Sequence, residues 1–282
     1  MKLKLNGIQF NILLDESIHQ RDKIPVLFLH GFTGCAYDWN FVLSKLPPNY
    51  FPFAIDLIGH GETDSPEDEN EYTCTSIVRH INTILDHFGF KKIVIAGYSM
   101  GGRAALSYSL KNPQRIIAGI LESATAGIED IEAKKDRVEH DFLLADKIRS
   151  EGVDSFLEFW FSSPLFSSLQ TINDFNELKN NRAQNNSVTG LANSLSAFST
   201  GLMNSYWNDL HELDFPVLLI SGESDDKFTS INKRMLKKFK QAEHKIIPQS
   251  GHNTHLEKPE LFTNLVLEFL NKIEGSNELQ MD

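Results

Sequence analysis

Ile93-Val94-Ile95-Ala96-Gly97-Tyr98-Ser99-Met100-Gly101-Gly102-Arg103 is the stretch that decides the fold. Its first four residues are apolar and rich in β-branching, which reads as a buried strand. A helical pattern follows over 103–111. Between them a serine is framed by glycines, the context of a tight strand-to-helix turn. Such a turn is strained, and a Cβ at either flank would strike the neighbouring strand or helix. The serine hydroxyl is thereby raised above the sheet edge, beside the first free N–H groups of the helix.

Outward from this turn, short apolar runs alternate with helical patterns. Strands are expected at 9–14 (one arm of a hairpin), 26–30, 53–56, 93–97, 117–122, 217–221 and 244–247. Helices are expected at 37–45, 75–88, 103–111, 231–239 and 259–273. This alternation predicts an α/β fold, a mostly parallel sheet with helices on both faces. It breaks between about residues 124 and 213, where four helical segments follow one another at 130–149, 153–161, 172–185 and 187–198. The block is read as a helical cap inserted over the open end of the sheet, rather than an independent domain, because the sheet pattern resumes at once at Phe215-Pro216-Val217. The expected organisation is a core of residues 1–123 and 214–275, a cap of 124–213, and a disordered tail of 276–282.

Other strand ends carry chemistry-bearing groups. His30-Gly31-Phe32 closes the second expected strand, and the sharp turn there exposes an N–H. The Phe32 and Met100 N–H groups are the expected donors to negative charge developing on a carbonyl oxygen. Asp56-Leu57-Ile58-Gly59-His60-Gly61 is a turn of the same kind, read as structural. Gly222-Glu223-Ser224-Asp225 ends another strand, and Ser250-Gly251-His252 follows the last. Asp226 and Glu223 are rivals for the acid; position relative to the Gly222 turn favours Asp225. His255 is a rival for the base; His252 is favoured because it directly follows Gly251. His80 and His87 are expected to face solvent. Ser99, Asp225 and His252 occur in the order of the α/β-hydrolase superfamily, which these motifs resemble. In such a triad the imidazole takes the serine proton and the carboxylate fixes its tautomer.

Composition narrows the partners. The chain has 282 residues, 41% hydrophobic, with a net charge of -11. An acidic surface repels phosphate backbones and anionic lipid, so neither nucleic acid nor a membrane is an expected partner. Any anionic ligand must be met by locally placed Arg or Lys. Cys35 and Cys74 form no disulfide framework, and no His, Asp or Glu spacing suggests a metal. The first residues lack the apolar run of a secretory signal, and no stretch approaches the roughly 20 apolar residues that span a bilayer. A cytoplasmic protein is expected, and a monomer, since no exposed apolar stripe is evident.

Further segments resemble one branch of the superfamily. These are the serine turn with its trailing Arg103, Leu121-Glu122-Ser123-Ala124-Thr125-Ala126-Gly127-Ile128, Phe156-Leu157-Glu158-Phe159-Trp160, and Gly190-Leu191-Ala192-Asn193-Ser194-Leu195, together with Gly201 and Trp207. They resemble the 2-succinyl-6-hydroxy-2,4-cyclohexadiene-1-carboxylate synthases of menaquinone biosynthesis, over nearly the whole chain. The family often has Pro where Ala126 stands, and the C-terminal tail is unmatched. The resemblance implies a lyase without a cofactor, expelling pyruvate from a small polycarboxylate. Ser99, activated by His252, would act as a base. A guanidinium grips a carboxylate with two hydrogen bonds, so Arg103 is the expected carboxylate binder. Arg137 and Arg182 of the cap match family arginines. All three have a plainer reading as solvated charge. Tyr98 and Trp160 are ring walls or ordinary core packing. The alternatives are a serine carboxylesterase or C–C bond hydrolase on the same scaffold, and a non-catalytic ligand receptor.

Overall fold

In the computed structural model residues 1–15 and 23–278 are described. The strands are β1 (Lys2–Leu5), β2 (Ile8–Leu14), β3 (Ile24–Leu29), β4 (Tyr50–Ile55), β5 (Ile93–Tyr98), β6 (Ile116–Glu122), β7 (Val217–Gly222) and β8 (Ala242–Ile247). They form one sheet in the order β1-β2-β4-β3-β5-β6-β7-β8. β1, β2 and β4 pair antiparallel, and every pairing from β4 onward is parallel. β1 is absent from the sequence-based expectation, because four residues of alternating Lys and Leu at a sheet edge carry too short a pattern.

The helices are α1 (Asn40–Leu43), α2 (Cys74–His87), α3 (Met100–Lys111), α4 (Ile131–Phe161), α5 (Phe175–Asn185), α6 (Val188–Ala197), α7 (Asp226–Leu236), α8 (Thr254–Glu257) and α9 (Pro259–Glu278). Strand side chains alternate between two apolar layers. Leu27 and Leu29 face one, with Ile77, Ile81 and Ile84 of α2 and Ala104 of α3. Val26 and Phe28 face the other, with Val42 of α1 and Phe262 and Val266 of α9. A sheet buried on both faces explains why its central strands read as unbroken apolar runs. The expected helix at 37–45 divides into a 3-10 turn, Ala36–Trp39, and α1. α9 runs on to Glu278, into the tail expected to be disordered; residues 279–282 lie outside the described residues.

α4, α5 and α6 lie between β6 and β7 and share an apolar cluster of their own, including Ile148, Phe156, Leu169 and Leu191. The two helices expected at 130–149 and 153–161 are joined in α4 across a kink at Gly152, whose φ of 83° suits glycine. His80, expected at the surface, is a correction: it is buried on α2 against the Phe10 ring, with Nε2 2.9 Å from Glu71 Oε2. His87 is exposed. Among the described residues no helix is long and apolar enough to cross a membrane.

Candidate active site

Three loops at the carboxyl ends of parallel strands meet under the cap, where open α/β sheets place their ligands. Ser99 follows β5, Asp225 follows β7 and His252 follows β8. Ser99 has φ 49° and ψ -104°, a conformation costing of order 1–3 kcal/mol. Two backbone bonds hold it there: its N–H donates to the Glu122 carbonyl at 2.9 Å, and its own carbonyl accepts from the Arg103 N–H at 3.0 Å. The flanking glycines are required sterically. A Cβ on Gly97 would strike the Gly101 backbone, and one on Gly101 would strike the Leu29 and His30 carbonyls.

His252 Nε2 lies 3.1 Å from Ser99 Oγ, and Nδ1 lies 2.7 Å from Asp225 Oδ2. The carboxylate holds the proton on Nδ1 and leaves Nε2 to accept from the serine hydroxyl. Asp225 is itself fixed, because Oδ1 accepts the Phe228 N–H at 3.1 Å and so caps α7. The rivals fall away on geometry. Asp226 and Glu223 are exposed, and Glu223 accepts the Gln249 N–H at 3.0 Å. His255 is sealed in the core, with Nδ1 2.7 Å from Glu122 Oε2 and its ring stacked 3.9 Å from that of Trp39.

Beside Ser99, the Phe32 and Met100 N–H groups donate to no acceptor among the described residues. The peptide plane of Phe32 is locked from its other end. The Gly31 carbonyl accepts from the Gly34 N–H at 3.0 Å and from His30 Nδ1 at 2.8 Å. The Leu57 N–H donates to His30 Nε2 at 2.9 Å, which requires a neutral ring with its proton on Nδ1. Burial lowers the pKa of His30 and supports that state. The loop after β4 has the structural role expected of it: Asp56 accepts from Ala36 N at 2.5 Å, Glu62 N at 2.8 Å and Asn11 Nδ2 at 2.9 Å.

Residues 24–259 match the alpha/beta hydrolase fold family. A putative 2-succinyl-6-hydroxy-2,4-cyclohexadiene-1-carboxylate synthase of Bacillus subtilis (strain 168) is 40% identical over 250 residues, 88% of this chain and 90% of its own length. A protein of the same name from Haemophilus influenzae is 30% identical, over 89% of this chain and 98% of its own. The solved structure of MenH from S. aureus superposes with a TM-score of 0.85 at 30% identity, covering 94% of this chain and 98% of that one. The chain belongs to this synthase family, on the α/β-hydrolase fold.

The cavity of this synthase-family chain is about 620 Å³ and contains Ser99, His252, Tyr98, Trp160, Arg103 and Arg137 in its wall. Arg103 is buried, donates to the Phe198 carbonyl at 2.8 Å and lies 4.5 Å over the Phe198 ring. Burial, with Arg137 nearby, lowers its pKa to about 10, so it stays charged at neutral pH. No carboxylate hydrogen-bonds it among the described residues. Arg137 is committed to Asp141 through Nε, at 2.9 and 2.8 Å to its two oxygens. Arg182 departs from the expectation. It lies outside this cavity, buried and paired 3.0 Å from Asp38, because α5 docks it against the core rather than over Ser99. Tyr98 sits between the His252 and His255 rings at 5.3 and 5.1 Å. Trp160 meets the Phe32 ring edge-on at 5.3 Å.

Two cavity cations escaped the sequence reading. Lys227 is exposed at the rim and lies 5.4 Å over the Phe228 ring. Arg234 lies 3.8 Å over Trp207 and pairs with Glu129. The signal was present: residues 227, 231 and 234 share one face of a helix. The helix was expected to begin only at 231, after both the cap residue and Lys227.

Proposed function

We propose that this chain is a lyase that eliminates pyruvate from 2-succinyl-5-enolpyruvyl-6-hydroxy-3-cyclohexene-1-carboxylate, giving 2-succinyl-6-hydroxy-2,4-cyclohexadiene-1-carboxylate. The observation that carries this reading is Arg103: a buried, charged guanidinium in the cavity wall, four residues after Ser99, with no carboxylate of its own. The nearest negative charge, Asp141, acts on Arg103 only through space and is already bonded to Arg137 and Ser199, so a carboxylate-bearing ligand supplies the direct partner that a buried cation lacks. A site for neutral esters gains nothing from it.

His252 takes the Ser99 proton, and the Ser99 oxygen removes the ring proton α to the succinyl ketone. The electron pair moves onto the ketone oxygen as an enolate, facing the Phe32 and Met100 N–H groups. A donor so placed is worth about 3–4 kcal/mol in the transition state. The pair then returns through the ring double bond and breaks the bond to the enolpyruvyl oxygen. The leaving enolpyruvate oxygen takes the proton held on His252, which restores the neutral imidazole, and the enol tautomerises to pyruvate. One C–H and one C–O bond break, and nothing is oxidised or reduced, so the step calls for no redox cofactor. Arg103 anchors one substrate carboxylate. Tyr98 and Trp160 flank the ring.

Pyruvate release from the enolpyruvyl substrate tests the proposal. Wild type releases it, and Ser99→Ala lowers kcat by at least about a thousandfold. Rapid cleavage of p-nitrophenyl esters with no pyruvate formed would replace the lyase with a hydrolase.

A further inference from the structure

The turn that carries the Phe32 N–H is gripped by the cap. Phe32 packs its ring into the cap's apolar cluster, edge-on to Phe156 at 6.1 Å and Trp160 at 5.3 Å. The next residue, Thr33, is buried with φ 66°, a conformation that β-branched residues avoid. Its carbonyl accepts a 2.9 Å hydrogen bond from Asn186 Nδ2, just past the end of α5. The same Nδ2 donates to the Arg182 carbonyl at 2.8 Å. Two carbonyl partners require the NH2 end of the amide at this position. Arg182 Nη2 reaches Asp38 Oδ2, which also accepts the Cys35 N–H at 3.3 Å on the far side of the same turn. His30 therefore holds the turn from the core, and Asn186 holds it from the cap.

We infer that Asn186 is a positioning residue for the oxyanion donor: the docked cap, through the Asn186–Thr33 bond, keeps the turn of residues 31–34 in the conformation that points the Phe32 N–H at the reacting oxygen. The inference rests on the Phe32 N–H being such a donor, as proposed above. It adds that the donor is complete only while α5 is seated. Thr33 in a left-handed conformation relaxes when its carbonyl is released, and the adjoining peptide turns with it. The cap then acts on rate as well as on substrate retention.

Two variants and two readouts test this. Asn186→Ala deletes the donor. Asn186→Asp keeps the shape but sets a carboxylate oxygen against the Thr33 carbonyl. The readouts are steady-state pyruvate release and the rate at which Ser99 is labelled by an alkyl fluorophosphonate, whose P–O oxygen uses the same donors without the natural substrate. Both variants are expected to lose roughly tenfold in labelling rate and in kcat, with KM within about twofold; this is less than the roughly hundredfold for outright loss of a donor. The penalty of Asn186→Asp relative to wild type is expected to shrink as pH falls through the ordinary carboxyl range near 4, where the acid can donate again. A purely structural role would not show this. Wild-type labelling rates and kcat in both variants, or losses confined to KM or the thermal midpoint, overturn the inference. So does failure of the isosteric aspartate variant to fold. If wild type labels but makes no pyruvate, the lyase reading falls and the labelling comparison still decides this one. A wild type that makes pyruvate but does not label keeps the lyase reading and overturns this one.

Discussion

Two histidine–carboxylate pairs flank Tyr98, with the same 2.7 Å contact through Nδ1, and they differ in what the other ring nitrogen meets. His252 Nε2 meets the Ser99 hydroxyl at the floor of the cavity. His255 Nε2 is buried without a partner, under Trp39. Glu122 is fully engaged there, accepting also from Thr254 Oγ1 at 2.7 Å and the His255 N–H at 3.1 Å. An imidazole–carboxylate pair is thus no sign of catalysis by itself. On the roles proposed above, access to a transferable proton separates the base, His252, from a rivet between β6 and α8.

That contrast can be broken most forcefully at the ring itself. His252→Ala is expected to reduce turnover by about 10³–10⁴-fold, while the urea midpoint stays near wild type. His255→Phe, which preserves a ring against Trp39, should keep kcat within a few-fold. If His255→Phe proves as inactive as His252→Ala, the division of roles drawn above is mistaken.

At the carboxylates the effect moves from rate to stability. Glu122→Leu leaves His255 and Thr254 without their acceptor in the core and should cost about 3 kcal/mol in chemical denaturation. The folded fraction should turn over near the wild-type rate. A loss of kcat without a loss of stability would give Glu122 a part in the chemistry.

A smaller effect per residue concerns histidines that hydrogen-bond no carboxylate. The His30 and His60 rings lie 5.2 Å apart, and His60 Nδ1 lies 3.1 Å from the Ile58 carbonyl. Burial lowers both pKa values, that of His60 to about 3, with His30 a further cause. Both are neutral in the fold, whereas the unfolded chain takes up their protons below about pH 6.5. The stabilising contribution of His60 is therefore complete above 6.5 and is lost as pH falls toward 3, and that of His30 declines in the same direction. The slope approaches about 1.4 kcal/mol per pH unit for each proton. Urea midpoints measured from pH 7 to 5 should show the decline, and His60→Phe should flatten it. An unchanged slope in that variant would place the proton uptake elsewhere.

The parts of the molecule legible in the sequence are those where local sterics and chemistry agree. Gly97-Tyr98-Ser99-Met100-Gly101 announces itself because the turn admits no Cβ at its flanks. Unbroken apolar strands reveal a sheet covered on both faces. Helix starts were less legible. α3 begins three residues before the expected 103, and α7 five before the expected 231. Apolar periodicity marks the middle of a helix, whereas the start of α7 is set by the Asp225 cap. Pairings between distant residues left no local trace. Nothing near Arg182 foretells Asp38, and nothing near His255 foretells Glu122, although a charged residue ending the apolar run 116–121 hints at a buried partner.

The insertion of the cap between β6 and β7 also imposes an order on synthesis. The ribosome delivers the serine turn and both N–H donors first, then the whole helical cover, and only afterwards the strands bearing acid and base. On the roles proposed above, a nascent chain holds an inert hydroxyl until β8 has joined the sheet edge, and reactivity follows the closing of the fold.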